Sequence, residues 1–340
     1  MPPTKKFSPT IRDVARQAGV SVATVSRVIN RNTPVSDEAA ARVLATMAEL
    51  KFVPQAAARS LASKKTHTIA LLLTDIGGDF FAPILSGIEK TTRQAAYDLL
   101  ISTSGRLKAR DEFPPSLGPH NTDGILVFAN CLSEAGLVKA HQAGFPIVLI
   151  HQSPPAGLSI PCVTVENKAA SRKIIEHLIQ AHNRRRIVFL RGPQGNEDSA
   201  WRELGYREAL LACGLTIDPQ LVAAGEFDRD TAQASLARLL ANGVVFDAVF
   251  TGDDEAAVGA LAALRQAGLR VPEDVSVVGF DDQRMAAYLT PPLSTVRAPT
   301  QAVGEAAAEQ LLRLIRTGQA EHLTLLPAEI VVRRSCGCLE

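Results

Sequence analysis

The sequence contains no apolar run approaching about 18 residues, which excludes a membrane-spanning helix. Met1–Thr10 carries Lys5 and Lys6 without an apolar stretch behind them, so no secretory signal is expected. Cysteine is scarce and odd in number, 5 in 340 residues, and does not read as a disulfide framework. These absences predict a cytoplasmic protein with no membrane attachment. The Gly-x-Ser-x-Gly elbow, the Gly-x-Gly-x-x-Gly fingerprint and the P-loop are missing as well, so no cofactor is expected. Cys336-Gly-Cys338 offers two thiols two residues apart, a weak metal signal without a partner pair. It is expected to be structurally neutral, and no metal is predicted.

What is present is unevenly spread. The length suggests roughly two or three domains. Residues 1–66 hold eleven Lys or Arg against four acids, a charge of +7, and the overall +1 leaves −6 for the remainder. A basic head on an acidic body is the electrostatic footprint of a polyanion-binding module.

The head reads as short helices. Thr10 and Asp13 form a capping-box-like start, after which Ile11, Val14, Ala15 and Ala18 recur at helical spacing. Gly19 suits a helix C-terminus and Ser21 a second N-cap. The spacing places Val25, Val28 and Ile29 inward on the second helix, and the intervening turn has the form of a helix-turn-helix. Val22, Ala23, Thr24, Ser26, Arg27 and Asn30 are left outside. Arg27 can grip guanine bidentately, Val22 and Ala23 offer apolar contact to bases, and Ser21, Thr24 and Asn30 suit phosphates. A third helix after Ser36 is predicted to bury Ala40, Val43, Leu44, Met47 and Leu50.

The run Thr10-Ile-Arg-Asp-Val-Ala-Arg-Gln-Ala-Gly-Val-Ser-Val-Ala-Thr-Val-Ser-Arg-Val-Ile-Asn30 resembles the DNA-binding head of the LacI/GalR repressor family. Pro54-Gln-Ala-Ala-Ala-Arg-Ser-Leu-Ala-Ser63 looks like that family's hinge helix. So short a helix is marginal in water, and we expect it to order on DNA. The resemblance implies that Leu61 wedges into the minor groove, while Arg59 suits a phosphate. Thr10 and Gln55 complete the candidate DNA-contacting set. The domains expected are a helix-turn-helix over 1–53, a hinge and linker over 54–66, and an effector-binding and dimerisation body over 67–340.

From Thr68 apolar runs alternate with amphipathic stretches, the rhythm of parallel sheets covered by helices. Periodicity alone does not separate one large doubly wound sheet from two. The family resemblance implies two doubly wound subdomains in a periplasmic-binding-protein-like body. The first would span about 67–161 and 292–322, the second about 162–291 and 323–340. Trp201-Arg-Glu-Leu-Gly-Tyr206, Gly252-Asp-Asp254, Val271–Asp282 and Leu289–Arg297 carry that resemblance. It implies that Arg202 and Asp281 grip effector hydroxyls and that Asp253 lines the cleft. Phe80, Phe81 and Phe227 would wall the ligand, and Asn196 and Asp198 would tune specificity. Asp79 replaces a usual Pro, His151 a usual Asp, and Glu112–His120 sets three prolines where the family has a helix.

The function implied is a repressor of sugar-metabolism genes, an allosteric homodimer on a pseudo-palindromic operator of double-stranded DNA, with a carbohydrate effector. A purine-responsive or activating regulator, and a solute-binding protein that does not touch DNA, remain as alternatives. The acid pairs Asp253-Asp254 and Asp281-Asp282 invite a glycosidase reading, but the same residues are signatures of the binding fold, so no enzyme is predicted.

Overall fold

The computed structural model describes residues 9–30, 33–52, 65–105 and 109–338. The chain divides into two compact units, Met1–Thr66 and His67–Glu340. Among the described residues no helix is long and apolar enough to cross a membrane.

The first unit holds α1 (Ile11–Ala18), α2 (Val22–Asn30) and α3 (Asp37–Glu49). Thr10 and Asp13 complete a capping box at the start of α1, and Gly19 ends it at φ +64°. Val14, Ala15, Ala18, Val25 and Val43 form the small core, with Val28, Ile29, Met47 and Leu50 packed on it. Leu44 departs from expectation: it is 57% exposed, while Thr46 is buried. The inward line of α3 runs through positions 43, 46, 47 and 50, and Leu44 lies about 100° round the helix from Val43.

In the second unit β1 (Thr68–Leu73), β3 (Gly124–Phe128) and β4 (Ile147–Ile150) are buried almost throughout. Continuous apolar runs of this kind mark parallel strands covered on both faces. With β2 (Asp98–Thr103), β5 (Cys162–Val165) and β11 (Leu323–Leu326) they form a six-stranded sheet ordered β11-β5-β4-β3-β1-β2. The second sheet, ordered β7-β6-β8-β9, comprises β6 (Ile187–Arg191), β7 (Val222–Ala224), β8 (Ala248–Thr251) and β9 (Ser276–Val278). Strands β10 (Thr295–Arg297) and β12 (Glu329–Val331) make an antiparallel ribbon. All the ladders within the two large sheets are parallel.

Helices α4 (Phe81–Gln94) and α10 (Thr300–Thr317) cover the first sheet as a packed pair. Helices α6 (Asn167–His182) and α7 (Glu197–Ala212) form a second pair, and α8 (Arg229–Ala241) and α9 (Asp254–Gln266) a third. Helix α5 (Glu134–Gln142) follows β3. The proline-rich stretch keeps only a 3-10 turn, Pro115–Leu117, with Leu117 fully buried.

The chain passes between the two sheets later than expected. Cys162 is paired with Leu323 and with Leu149, so β5 and β11 both lie in the first sheet. Two crossings therefore follow Val165 and Leu326 rather than Pro161 and His322, and the bridges of Ser294 to Val278 and of Arg297 to Asp281 put the other after Arg297 rather than at Pro291. Backbone pairing of β5 with both β4 and β11 carries the first sheet across the expected boundary.

Candidate functional site

Two places gather the predicted residues, and the first is the outer side of α2. Ser21 caps α2: its hydroxyl accepts from Thr24 N–H at 3.1 Å and bonds the Thr24 hydroxyl at 2.9 Å. That cap orients the start of the helix, where Ser21, Val22 and Ala23 are exposed, as are Thr10 before α1 and Arg27 one turn on. Thr24 is half-buried. A helix that projects its first turn and an Arg from a packed three-helix unit has the form that enters a DNA major groove. The side chain of Asn30, and Gln55, Arg59 and Leu61 with the whole hinge stretch 54–63, lie outside the described residues.

The second place is the cleft between the two sheets, at the carboxyl ends of their strands, where ligands bind in this architecture. Arg202, on α7, is its centre and only 3% exposed. Its Nε donates to Asn167 Oδ1 at 2.8 Å and its Nη1 to the Gly252 carbonyl at 2.5 Å. Its Nη2 lies 3.5 Å from Asp281 Oδ1 and 3.9 Å from Asp198 Oδ2. The guanidinium sits 3.7 Å above the centre of the Phe280 ring and 5.6 Å from that of Phe227. Phe227 in turn lies over the Gly192 and Gly252 backbones; a Cβ on Gly192 would fall 2.2 Å from its ring. Only glycine permits that approach.

Opposite, Phe80 and Phe81 meet edge-on at 5.2 Å, and Phe81 meets Phe128 at the same distance. His151, at the end of β4, is 2% exposed and its ring stands 5.4 Å from Phe128. Its Nδ1 is 2.8 Å from Asp198 Oδ2 but off the line of a good hydrogen bond, so the two attract mainly as charges when the ring is protonated. Among the described residues Nε2 of His151 and Oδ1 of Asp281 are buried without a hydrogen-bond partner, the latter facing Arg202 only as an ion pair. Such groups are costly to leave unmatched, and a bound ligand would match them. His151, Phe227, Asp281 and Asp282 all have positive φ, between 53° and 104°. Strain of that kind, about 1–3 kcal/mol per residue, gathers at functional sites.

The cleft is crowded with carboxyls. Burial, then the neighbouring Asp281, raises the Asp253 pKa to about 7. The same two causes push Asp254 well above the usual carboxylate range, although Thr295 and the Gln283 N–H hydrogen-bond it. Asp281 is also raised, mostly by burial and in spite of Arg202. Asp198 goes the other way: burial would raise it, but His151, Arg202 and Asn167 together hold it low.

Two predicted residues have structural partners of their own. Asn196 caps α7 by accepting from Ser199 N–H at 2.9 Å, and Asp253 caps α9 through Ala256 N–H at 2.9 Å. Asp79 is exposed at the rim, where its charge, after that of Glu255, helps keep Arg229 protonated. Sequence reasoning missed Asn167, which joins Arg202 to Asp198, and Phe280, which lies beneath the guanidinium. It missed Glu197 too, which accepts from the Ser153 N–H at 2.6 Å across the cleft. The cavity beside that contact, about 390 Å³, is lined by Asn130, His151, Gln152 and Glu197 among others. A larger one, about 640 Å³, opens at the amino ends of β4 and β5, and its Arg313 is already paired with Glu321. The strained, unmatched polar groups described above line the cleft instead.

Residues 10–55 match the profile of the bacterial regulatory proteins of the lacI family, and residues 175–336 that of a periplasmic binding protein-like domain. The ribose operon repressor of Escherichia coli K12 is 33% identical over 322 residues, covering 94% of this chain and 97% of the repressor. A crystal structure of the lac repressor dimer, bound to operator and an anti-inducer, has a TM-score of 0.84 at 25% identity, covering 97% of this chain and 99% of that one. The complex of the transcriptional regulator CelR with cellobiose has a TM-score of 0.71 at 31% identity, covering 96% and 99%.

Proposed function

The chain belongs to the lacI family of bacterial regulatory proteins, and on that footing we propose that it represses sugar-metabolism genes by binding a DNA operator that an uncharged carbohydrate makes it release. The charge balance of the cleft carries the choice of effector. Asp198 and Asp281 lie buried beside Arg202, Asp253 feels its charge, and Asp254 is buried next in the chain. With burial raising Asp253, Asp254 and Asp281 and with Arg202 offsetting Asp198, the lining holds no surplus positive charge to match a phosphate or carboxylate. Vicinal hydroxyls suit it, because they donate to Asp281 and accept from the guanidinium fork. The Phe80, Phe81 and Phe227 rings suit the apolar face of a sugar ring. The cellobiose complex of CelR and the ribose operon repressor's name support the same class of ligand.

In the proposed mechanism two chains pair through their bodies into a dimer, the state in which the lac repressor is bound to operator, and place two α2 helices on a pseudo-palindromic site. Val22, Ala23 and Arg27 read bases, while Thr10, Ser21, Thr24 and Asn30 position the backbone. The hinge residues Gln55, Arg59 and Leu61 engage the operator centre. A sugar closes the cleft onto Arg202 and Asp281, and the closed body holds the hinges in a spacing that fits the operator less well. The effector must therefore favour the closed state by its own differential affinity, typically 1–3 kcal/mol per site.

A thermal-shift screen of the purified protein against neutral sugars, sugar phosphates and purines, with each hit retested on operator DNA, tests the proposal. A neutral sugar that raises the melting temperature and releases DNA supports it. A sugar phosphate or purine as the stabilising ligand overturns the effector class, and a hit that tightens DNA binding overturns the inducer logic.

A further inference from the structure

The terminal Cys-x-Cys pair does not stand alone. His177 and His182, on the last turns of α6, converge with Cys336 and Cys338, and their four donor atoms all lie within 4.8 Å of one another. Nε2 of His177 is 3.6 Å from both sulfurs, and Nε2 of His182 is 3.3 Å from Cys338 Sγ. The two imidazoles meet at 78°, centroids 5.0 Å apart, so that they approach a common point from different directions.

We propose that these four side chains form a structural zinc site. Zinc takes thiolate sulfur at about 2.3 Å and imidazole nitrogen at about 2.0–2.1 Å in a tetrahedron. Those bond lengths place sulfur and nitrogen about 3.5 Å apart, the spacing found. His177 Nε2 is equally distant from both sulfurs, as ligands around one central ion would be. Two sulfurs and two nitrogens select zinc over the hard oxygen-seeking cations. Two thiolates balance the ion's charge, so the half-buried site carries no net charge. All four positions come from the protein, which leaves no open site for catalysis.

The turn between the sulfurs is built for this arrangement. Gly337 has φ +112°, and a Cβ there would fall 2.9 Å from His182 Nδ1. Only glycine lets the chain reverse with an imidazole so close. Around it the tail is already seated: Ser276 Oγ donates to the Cys336 carbonyl at 2.8 Å, and Ser335 Oγ to the Val277 carbonyl at 2.6 Å. The ion fastens the tail after β12 to the end of α6, closing a loop of more than 150 residues. Clips on long loops remove the most freedom from the unfolded chain.

The test is the metal content of the full-length protein, incubated with Zn²⁺ and freed of excess by gel filtration. The expected result is one zinc per chain, lost in Cys338→Ser and in His182→Gln, both with parent-like circular dichroism. X-ray absorption should return two sulfurs near about 2.3 Å and two nitrogens near about 2.0 Å. Co²⁺ in place of Zn²⁺ should give the visible bands of a tetrahedral thiolate complex, and chelation should lower the melting temperature by several degrees. The proposal is overturned if the parent retains less than a tenth of an equivalent, or if the variants hold as much zinc as the parent. If both variants fail to fold, the absorption and cobalt spectra of the parent decide alone, and a coordination shell of oxygens overturns it.

Discussion

Asp253 is held by two influences that pull its proton in opposite directions. As the cap of α9 it accepts from Ala256 N–H, which favours the ionised form, yet burial and Asp281 raise its pKa to about 7. The folded state therefore keeps a proton between about pH 4 and about pH 7 that the unfolded chain has released. Stability attributable to this group falls as pH rises through that window and is fully lost above about pH 7. Asp254 and Asp281 act in the same sense; Asp198, held low, adds stability that disappears only in acid. Asp253→Asn keeps a capping oxygen and removes the ionisation. Its stability relative to the parent should rise by about 1 kcal/mol or more between about pH 5 and about pH 8, read from urea midpoints; an unchanged difference would mean that Asp253 is ionised in the fold. Arg202 gives a second residue-level prediction. Lys keeps the charge but not the fork that reaches Asn167, Gly252 and Asp281 at once. Arg202→Lys should weaken effector binding at least about 30-fold, the equivalent of about 2 kcal/mol, with operator binding retained, measured by calorimetry and gel shift. Arg202, Asp281 and Phe227 were legible because the resemblance names them. Asn167 and Phe280 were not, since their importance arises from contacts that only folding creates.

Among elements, helix starts and strands were the most legible. The Thr10 and Ser21 caps and the apolar run of β1 declare themselves within a few residues. Leu44 was misread because an apolar residue one step off the stripe looks like part of it until the packing partner is known. Less legible was how closely the covering helices approach. Where α4 crosses α10, a Cβ on Gly87 would lie 2.2 Å from the Gln301 carbonyl oxygen, and one on Gly304 would lie 2.2 Å from that of Ile84. Backbone meets backbone there, so neither neighbour can move aside. In an exposed helix Gly→Ala gains roughly 1 kcal/mol. At this crossing the sign should invert: Gly87→Ala and Gly304→Ala should each cost about 1–3 kcal/mol through overpacking. The double variant should cost less than the sum, because the first methyl already forces the helices apart. Chemical unfolding of the three variants checks both points, and a stabilised single variant refutes the close crossing.

For the whole molecule, the two-layered body was legible in the alternation of strand and helix, but its division was not. Strands β5 and β11 are too short to reveal from sequence which sheet they join. The same holds for the bonds that span the cleft. His151 from the first sheet faces Asp198 on α7, and Ser153 donates to Glu197 at the start of that helix. These ties favour the closed body before any ligand arrives, so they lower the work an effector must do. Glu197→Gln leaves the chain able to fold but replaces a charged acceptor at Ser153 by a neutral one, a loss of about 1 kcal/mol. That loss moves the balance towards the open state about fivefold. If closure releases the operator, more sugar is then needed for half-release, by about fivefold, and operator affinity without sugar stays the same or tightens. Linkage fixes the sense of both readings, because one equilibrium governs both sites. Titrating operator release with effector in parent and Glu197→Gln protein reads the first, and a gel shift without effector reads the second. Weaker operator binding by the variant would place the closed body on the DNA-bound side and reverse the sense of the switch.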